Sequence, residues 1–226
     1  MSRAAVPTLL AVVLLAACGS SEEASSPPLT AVVTVAPPPS GPTEEQLPAL
    51  AVGLSDLPDA FTVRREGYLQ VSSEGVVGEF RRFFDPGDTA LGDSRLVDLS
   101  SDVALFRDEE TAQAAIGGIL AALLGDQVEA AFADLVMHAV GIEATNIEGQ
   151  TLATRELGES GVVAQARFDT SAGRAEAVYV VVQVGSLHHA LFLIGSPGQV
   201  KVDDARELAR AVIPRLQQAS GSAFAA

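Results

Sequence analysis

Histidine is the residue type best suited to metal binding or acid–base chemistry near neutral pH, and the chain has three, His138, His188 and His189. Neighbouring residues of a strand point to opposite faces, so His188 and His189 cannot readily bind one metal ion together. No His-x-x-x-His spacing occurs, and the single cysteine lies near the N-terminus. Because a zinc site would then need one histidine with carboxylates, we expect no metal site.

Patterns of serine, glycine and carboxylate residues that support catalysis are also missing from the sequence. The predicted domain contains no Gly-x-Ser-x-Gly turn for a nucleophilic serine and no glycine-rich loop followed by Lys-Ser/Thr for phosphate. Acidic runs begin at Asp108 and Asp203, but both precede helical patterns, where acidic residues favour the helix dipole. We therefore expect no catalytic residue, no cofactor and no enzymatic activity, and the ligand-binding residues remain unknown.

Arg81 and Arg82 stand between Phe80 and Phe83 in a strand pattern. The alternation of a strand puts one guanidinium on each face of the sheet. An exposed arginine beside aromatic rings is typical of a contact surface. Ion pairing to nearby carboxylates is the simpler interpretation, and the absence of tryptophan disfavours a sugar-stacking site or a large protein-binding hot spot.

The elements that position these residues follow an N-terminal segment with its own signal. Arg3 precedes an almost wholly apolar stretch, residues 4–17, which is too short to span a bilayer and ends in small residues before Cys18. Residues 15–18 resemble the lipobox of bacterial lipoproteins, which implies cleavage of the signal peptide 1–17 and lipidation of Cys18. The alternative is an ordinary secretory signal with an incidental cysteine. A lone thiol is a liability in an oxidising compartment, which favours acylation.

Charge limits the partners of the exported protein. The chain has 14 basic and 29 acidic residues, a formal net charge of −15, and Lys201 is its one lysine. Nucleic acid is bound by clusters of basic residues, so we expect no nucleic-acid partner. The same charge repels anionic lipid headgroups, so that acyl chains on Cys18 alone would hold the protein to a membrane. We expect an extracytoplasmic location, anchored to a bacterial membrane by the N-terminal lipid.

Composition divides the rest of the chain into three parts. Residues 18–46 are rich in Ser, Pro and Glu and predict a disordered tether, in which the apolar piece 29–36 is either linker or an added edge strand. Residues 47–219 are enough for one well-buried domain, and residues 220–226 form a flexible tail. The domain would thus stand away from the lipid on a flexible chain.

Hydrophobic periodicity within the domain predicts an α+β class with a mainly antiparallel sheet of about six to seven strands and helices packed on it. The predicted order is three strands, two helices, four strands and one helix. The strands cover 61–71, 76–84, about 96–106 (bent near Ser100-Ser101), 149–156, 162–169, 175–184 and 187–195, and the helices follow a cap at Asp108, a capping box at 126–129 and a cap near Asp203. Gly125 should end the first helix, and Pro214 should kink or end the last one.

Two of these patterns are apolar throughout. Strands 175–184 and 187–195 are apolar on both faces, which is typical of central strands covered on two sides. Residues 114–124 of the first long helix are also unusually apolar, and two interpretations are open. The segment is either membrane-active or, as its short length and internal glycines favour, a core helix.

Four segments, 57–61, 102–106, 157–160 and 205–210, resemble those of uncharacterised extracytoplasmic lipoproteins of high-GC bacteria. Those proteins in turn are similar to Mog1/PsbP-like sandwiches and to the extracellular sensor domain of some bacterial Ser/Thr kinases. The resemblance covers most of residues 50–218 and departs from the kinase sensors in lacking a disulfide pair. It implies a non-catalytic binding or sensing module, and it carries over no functional residue.

The sequence therefore favours a membrane-anchored, extracytoplasmic domain that binds an envelope protein or a small apolar ligand. Two alternatives stay open. One is a carrier of an apolar or lipid ligand in the cell envelope, which requires a cavity between helices and sheet. The other is an unrecognised envelope enzyme, which requires a cleft with convergent polar side chains.

Overall fold

The computed structural model of the protein describes residues 41–71, 73–124, 128–153, 157 and 160–221, all of which belong to one compact unit. The predicted signal peptide, Cys18, most of the tether and residues 222–226 of the tail lie outside the described residues. Gly125, the first two residues of the predicted capping box and part of the 157–160 motif also lie outside them.

The described residues form four α-helices and eight β-strands, preceded or separated by two 3-10 turns. The turns are Glu44–Gln46 and Leu54–Asp56; the helices are α1 (Leu47–Leu50), α2 (Glu109–Leu124), α3 (Val128–Val140) and α4 (Val202–Ser220); the strands are β1 (Thr62–Tyr68), β2 (Val76–Asp85), β3 (Ala90–Leu91), β4 (Ser94–Phe106), β5 (Thr145–Ala153), β6 (Ser160–Thr170), β7 (Gly173–Val184) and β8 (Leu187–Gly195).

The strands form one sheet in the order β1-β2-β4-β8-β7-β6-β5, and β3 pairs with β4 outside that path. Every neighbouring pair is antiparallel. The predicted α+β class, with helices packed on an antiparallel sheet, is confirmed, as is the order of its long elements. The sequence did not indicate β3 or α1, because a segment of two or four residues is too short to show a hydrophobic period.

Two of the expected strand details are wrong. Strand β5 begins at Thr145, four residues before the predicted start, because Thr145 already pairs with Asp169 of β6. The irregularity of β4 lies between Leu96 and Asp98 and not at Ser100-Ser101. Residues 100 and 101 keep regular partners on both sides, in β2 and in β8, which holds the middle of the strand straight.

The expected cap of α4 near Asp203 is wrong, and of the two expected effects of Pro214, ending the helix is wrong while kinking it stays a prediction. Its N-cap is Lys201, two residues before Asp203, and the helix continues through Pro214 to Ser220. A proline inside a helix removes one hydrogen bond. Leu208 and Val212 before it and Leu216 after it are all buried against the sheet. We attribute the continuity of α4 to this packing, since tertiary contacts supply most of the stability of a helix in a protein.

Two hydrophobic cores lie on the two faces of the sheet. On one face, α1 and α4 pack against the sheet and form the first core with residues such as Val103 and Leu191. On the other face, α2 and α3 form the second core, mainly with β5 to β8. Strands β7 and β8 contribute to both cores, as their apolar sequences predicted. The protein is therefore a three-layer sandwich with the sheet in the middle.

Helix α2 packs against the sheet with Ala112, Ile116 and Leu123, which are buried, so the core interpretation of this apolar helix is correct. Its cap is also the predicted one, since Asp108 Oδ1 accepts the backbone N–H of Thr111 at 2.7 Å. Hydrogen bonds from the Thr111 hydroxyl and backbone lower the pKa of Asp108 to about 2, so the cap stays charged. The cap thereby fixes where α2 leaves the end of β4.

Candidate functional site

A cleft of about 500 Å³ lies between the α2/α3 layer and the sheet. It forms because α2 and α3 cover β5 to β8 but leave β2 and part of β4 uncovered. Most of its lining is apolar and comes from both layers: Ala104, Ala115, Ile119, Leu135, Val181 and Phe192. The loop of the β1–β2 hairpin contributes Ser73 and Glu74 at its side. The volume is within the range of sites for small organic ligands.

Arg81 is the cation of this cleft. It lies directly opposite Asp102 in the β2–β4 pairing, and its Nε donates to Asp102 Oδ1 at 2.7 Å. Its Nη1 donates to the carbonyl of His138 at 2.6 Å, which satisfies one of the free carbonyls in the last turn of α3. Its Nη2 is 3.7 Å from Glu79 Oε1. Arg81 therefore joins β2, β4 and α3 at one point.

The guanidinium is not fully satisfied by these contacts. Arg81 is 5 % exposed, and its buried Nη2 makes no hydrogen bond within the described part of the chain. Burial raises the pKa of Asp102, and the neighbouring Arg81 opposes that rise. Two carboxylates, Asp102 and Glu79, thus face one guanidinium inside the cleft. Carboxylates therefore outnumber the guanidinium at this point, yet Nη2 of Arg81 makes no hydrogen bond with them.

Tyr179 and His188 add two neutral groups to the cleft wall. Burial raises the pKa of the Tyr179 hydroxyl, which therefore stays protonated, and its ring packs against Phe192. His188 Nε2 donates to the carbonyl of Ala112 at 2.7 Å. Burial lowers the pKa of His188 to about 4, so the imidazole is neutral near pH 7. The hydrogen bond from His188 thus links β8 to α2.

The polar side chains of the cleft are largely engaged by partners within the fold. Within the described ranges, no group of three or more His, Cys, Asp or Glu residues is placed to hold a metal ion. The carboxylate of Asp102 is paired with Arg81, and the ring of His188 is bound to a backbone carbonyl. What the cleft offers is an apolar surface with hydrogen-bond donors at one end.

No protein-family model matches the chain, and no curated protein matches it either. Solved structures do match. One is the extracellular domain of PknH from Mycobacterium tuberculosis, with a TM-score of 0.54 and 11 % sequence identity over 79 % of this chain and 98 % of that chain. At this identity the similarity shows the fold alone. It agrees with the resemblance to extracellular sensor domains that the sequence motifs indicated.

The structure separates the three histidines. His138 and His188 line the cleft, whereas His189 lies in the opposite core. There its Nε2 is 2.9 Å from Ser101 Oγ, which also accepts the backbone N–H of Val52. Strand alternation had predicted that His188 and His189 face opposite sides, and this is confirmed. Through Ser101, His189 is linked to Val52 and supports the packing of the N-terminal segment on the sheet.

The two arginines are separated in the same way. Arg81 lies in the cleft, while Arg82 points to the other face, where it donates to Glu66 Oε2 at 2.5 Å and to the carbonyl of Val52 at 2.7 Å. Both are ion-paired, so the ion-pair interpretation of this motif is confirmed. The acidic residues Asp108 and Asp203 lie at the starts of α2 and α4, away from the cleft lining.

Sequence reasoning missed Asp102, Glu79 and Tyr179, which complete the polar end of the cleft. Asp102 is an acidic residue inside a largely apolar strand, and Tyr179 is the one hydroxyl-bearing residue in a strand of valines. A polar residue within an otherwise apolar strand was thus the signal by which both residues could have been found. They did not indicate a site by themselves, because the pairing of 81 with 102 depends on the strand register.

A second apolar groove of about 540 Å³ runs between α2 and α3 on their outer side. It shares Ile119, Leu135 and His138 with the cleft, so the two cavities adjoin through the helix pair. Leu124 of α2 and Met137 of α3 are also exposed. Among the described helices, none combines the length and apolar character needed to cross a bilayer.

Proposed function

We propose that this protein is a lipid-anchored, extracytoplasmic binding or sensing domain without catalytic activity, whose cleft beneath α2 and α3 binds a small apolar ligand. The observation that carries the proposal is the cleft itself, about 500 Å³ with a mainly apolar lining and a buried arginine at one end. Ligand sites typically combine such a lining with a few placed polar groups.

Several observations support the location outside the cytoplasm. Residues 1–17 have the features of an export signal, and residues 15–18 resemble a lipobox ending at Cys18. The similar solved structure is an extracellular domain. Two or three acyl chains on Cys18 would exceed the threshold for stable anchoring, so no basic surface is needed.

A binding role fits the polar groups better than an enzymatic one. A general acid or base needs a side chain free to exchange a proton with the substrate. Here Asp102 and Arg81 hold each other, His188 is bound to the carbonyl of Ala112, and burial raises the pKa of Tyr179. The cleft does bring polar side chains together, but they are arranged to position a ligand and not to transfer its protons.

A carrier of apolar ligands in the envelope is the second candidate function. It is favoured by the groove between α2 and α3, which adjoins the cleft at Ile119 and Leu135 and opens on the outer side of the helices. A carrier must release its ligand without unfolding, and a route between two helices would permit that. A sensor would instead keep the ligand and present a changed surface to an envelope protein.

Native mass spectrometry of the protein purified from its own cell envelope tests the proposal. The wild-type protein should carry an extra mass, matching neither detergent nor buffer, that denaturation removes. Ala115→Phe places a ring in the cleft and should abolish the extra mass. Ala114→Phe makes the same change at the preceding, exposed position of α2 and should keep it. The proposal that this cleft binds a ligand would be contradicted if the adduct persisted in the Ala115→Phe variant. It would also be contradicted if neither the wild type nor the variants carried an adduct.

A further inference from the structure

The buried Nη2 of Arg81 indicates what kind of group the cleft takes. A buried donor without a partner costs free energy comparable to that of a lost hydrogen bond. Of the three nitrogens of this guanidinium, Nε and Nη1 have hydrogen-bond acceptors at 2.7 and 2.6 Å, whereas Nη2 has none. Glu79 Oε1 is near it, at 3.7 Å, but beyond hydrogen-bond distance. A ligand acceptor would satisfy this atom.

The charges around Arg81 restrict that acceptor to an uncharged group. Asp102 and Glu79 already place two carboxylates beside the single guanidinium. An anionic ligand group would add a third negative charge beside the two carboxylates, and like charges at such short range repel each other. A cationic group has no acceptor role to offer Nη2. A carbonyl oxygen accepts a hydrogen bond without changing the charge of the site.

Tyr179 supplies a second donor on the same wall. Its pKa is raised by burial and by the nearby carboxylates Asp102 and Glu79, so its hydroxyl keeps its proton. No hydrogen bond joins that hydroxyl to the described residues. A carbonyl oxygen has two lone pairs and accepts two donors readily. From this end, the apolar lining leads past Ile119 and Leu135 to the groove between α2 and α3.

We infer that the cleft recognises an uncharged carbonyl group, as in an ester or amide, at the end of an acyl chain, with Arg81 and Tyr179 as its two hydrogen-bond donors. The inference rests on the proposed function and specifies its ligand class. The acyl chain occupies the apolar part of the cleft and continues toward the outer groove. The carboxylates of Asp102 and Glu79 reject the corresponding free acid.

Isothermal titration calorimetry at pH 7 with three probes of one chain length tests this inference: decanoyl glycerol, decanoate and decylamine. The protein is the full chain with Cys18→Ser, which has no attached acyl chain. The uncharged ester should bind at least about tenfold more tightly than the acid, which adds a negative charge beside two carboxylates, and than the amine, which has no acceptor for Arg81 Nη2.

Two variants and a matched control assign the donors. Tyr179→Phe removes one hydroxyl at constant ring volume, and Arg81→Lys removes Nη2 while keeping the charge. Each should weaken ester binding about threefold to tenfold, as expected for one net hydrogen bond. Arg82→Lys is the same change at the neighbouring residue on the opposite face and should leave binding unchanged. Tyr179→Phe breaks no hydrogen bond within the described chain, so it remains informative if Arg81→Lys destabilises the fold.

The outcomes separate this inference from the proposed function. If none of the three probes binds, the apolar-ligand function itself is contradicted. If the acid or the amine binds as tightly as the ester, or if Tyr179→Phe has no effect on ester binding, the inference about the head group is overturned while an apolar ligand in the cleft stands.

Discussion

Arg81 and Arg82 are neighbours in β2, yet their guanidinium groups lie on opposite sides of the sheet. Arg81 pairs with Asp102 in the cleft, and Arg82 pairs with Glu66 on the other face. The alternation of a strand predicted this separation, but not the partners. Asp102 becomes the partner because the β2–β4 register places it directly opposite Arg81. Strand alternation thus predicted the face on which Arg81 lies, and the long-range pairing of β2 with β4 determined its partner.

For His189, too, the sequence predicted burial but not the residues that surround it. Its position in an apolar strand indicated burial on one face, while its neighbours, Ser101 and the Arg215–Asp56 ion pair, come from distant parts of the chain. Burial, with a smaller contribution from Arg215, lowers the pKa of His189 to about 3. The imidazole is therefore neutral in the folded protein over the whole physiological range.

This burial makes the stability of the fold depend on pH. In the unfolded chain a histidine binds its proton below about pH 6.5, whereas His189 in the folded protein does so only near pH 3. Between these two pH values the unfolded state therefore binds more protons than the folded state. The contribution of neutral His189 to the unfolding free energy is lost as the pH falls below about 6.5. Between pH 7 and pH 5 this amounts to about 2 kcal/mol.

His189→Gln should remove that loss. Urea denaturation of the wild-type protein and the variant, at pH 7 and at pH 5, measures it as the difference between their changes in unfolding free energy. The wild type should lose about 2 kcal/mol more than the variant on acidification. Equal losses in the two proteins would contradict the burial of a neutral imidazole at this position.

At the scale of elements, α3 shows how a helix is held over an edge strand. Phe132 is fully buried and lies against β5 at Gly149, where an added Cβ would be only 3.0 Å from the Phe132 ring. The absence of a side chain at Gly149 lets the ring approach the backbone of the sheet. The opposite side of α3 carries Met137, which is half exposed. Hydrophobic periodicity predicted helix α3, whereas its position on β5 depends on the fit of the Phe132 ring against Gly149.

Phe132→Ala should therefore be strongly destabilising. Removing a buried ring leaves a cavity and costs about 3–5 kcal/mol of unfolding free energy, which chemical denaturation followed by circular dichroism measures. Met137→Ala on the exposed side of the same helix should change it by less than about 0.5 kcal/mol. If the two variants lost similar amounts, α3 would not be packed on β5 as described.

Coverage of the sheet by its helices explains why a cleft exists. Helix α4 buries one continuous apolar face in the first core. Helices α2 and α3 are apolar on more than one side and bury only part of that surface against β5 to β8. This excess of apolar surface was visible in the sequence of residues 114–124, which could be interpreted as a membrane-active segment or as a core helix. Packing assigns one side to the core and leaves another to line the cleft.

For the molecule as a whole, the net charge bears on how the proposed anchor would work. The formal net charge of −15 opposes adsorption of the domain to anionic lipid, and the proposed tether would let it stand away from the membrane. Acyl chains on Cys18 would then be the whole of the membrane attachment. The domain would meet its ligand or protein partner in the space outside the lipid.

Cys18→Ser tests the anchor directly. The substitution should abolish metabolic labelling by a fatty-acid analogue and shift the protein from the membrane fraction to the soluble extracytoplasmic fraction, because it removes the proposed attachment site of the acyl chains. Ser20→Ala, two residues after the cysteine, serves as the control and should keep both labelling and membrane attachment. Labelling that persists in the Cys18 variant would contradict the lipidation site.

Local patterns in the sequence predicted the order of the long elements, the two-sided burial of β7 and β8 and the opposite faces of adjacent strand residues, because each follows from a period of two or 3.6 residues. Long-range packing produces the pairing of Arg81 with Asp102, the position of Tyr179 in the same cleft, the passage of α4 through Pro214 and the opening of the cleft. These features join residues far apart in the chain. They depend on strand register and on how much of the sheet each helix covers, which no local pattern encodes.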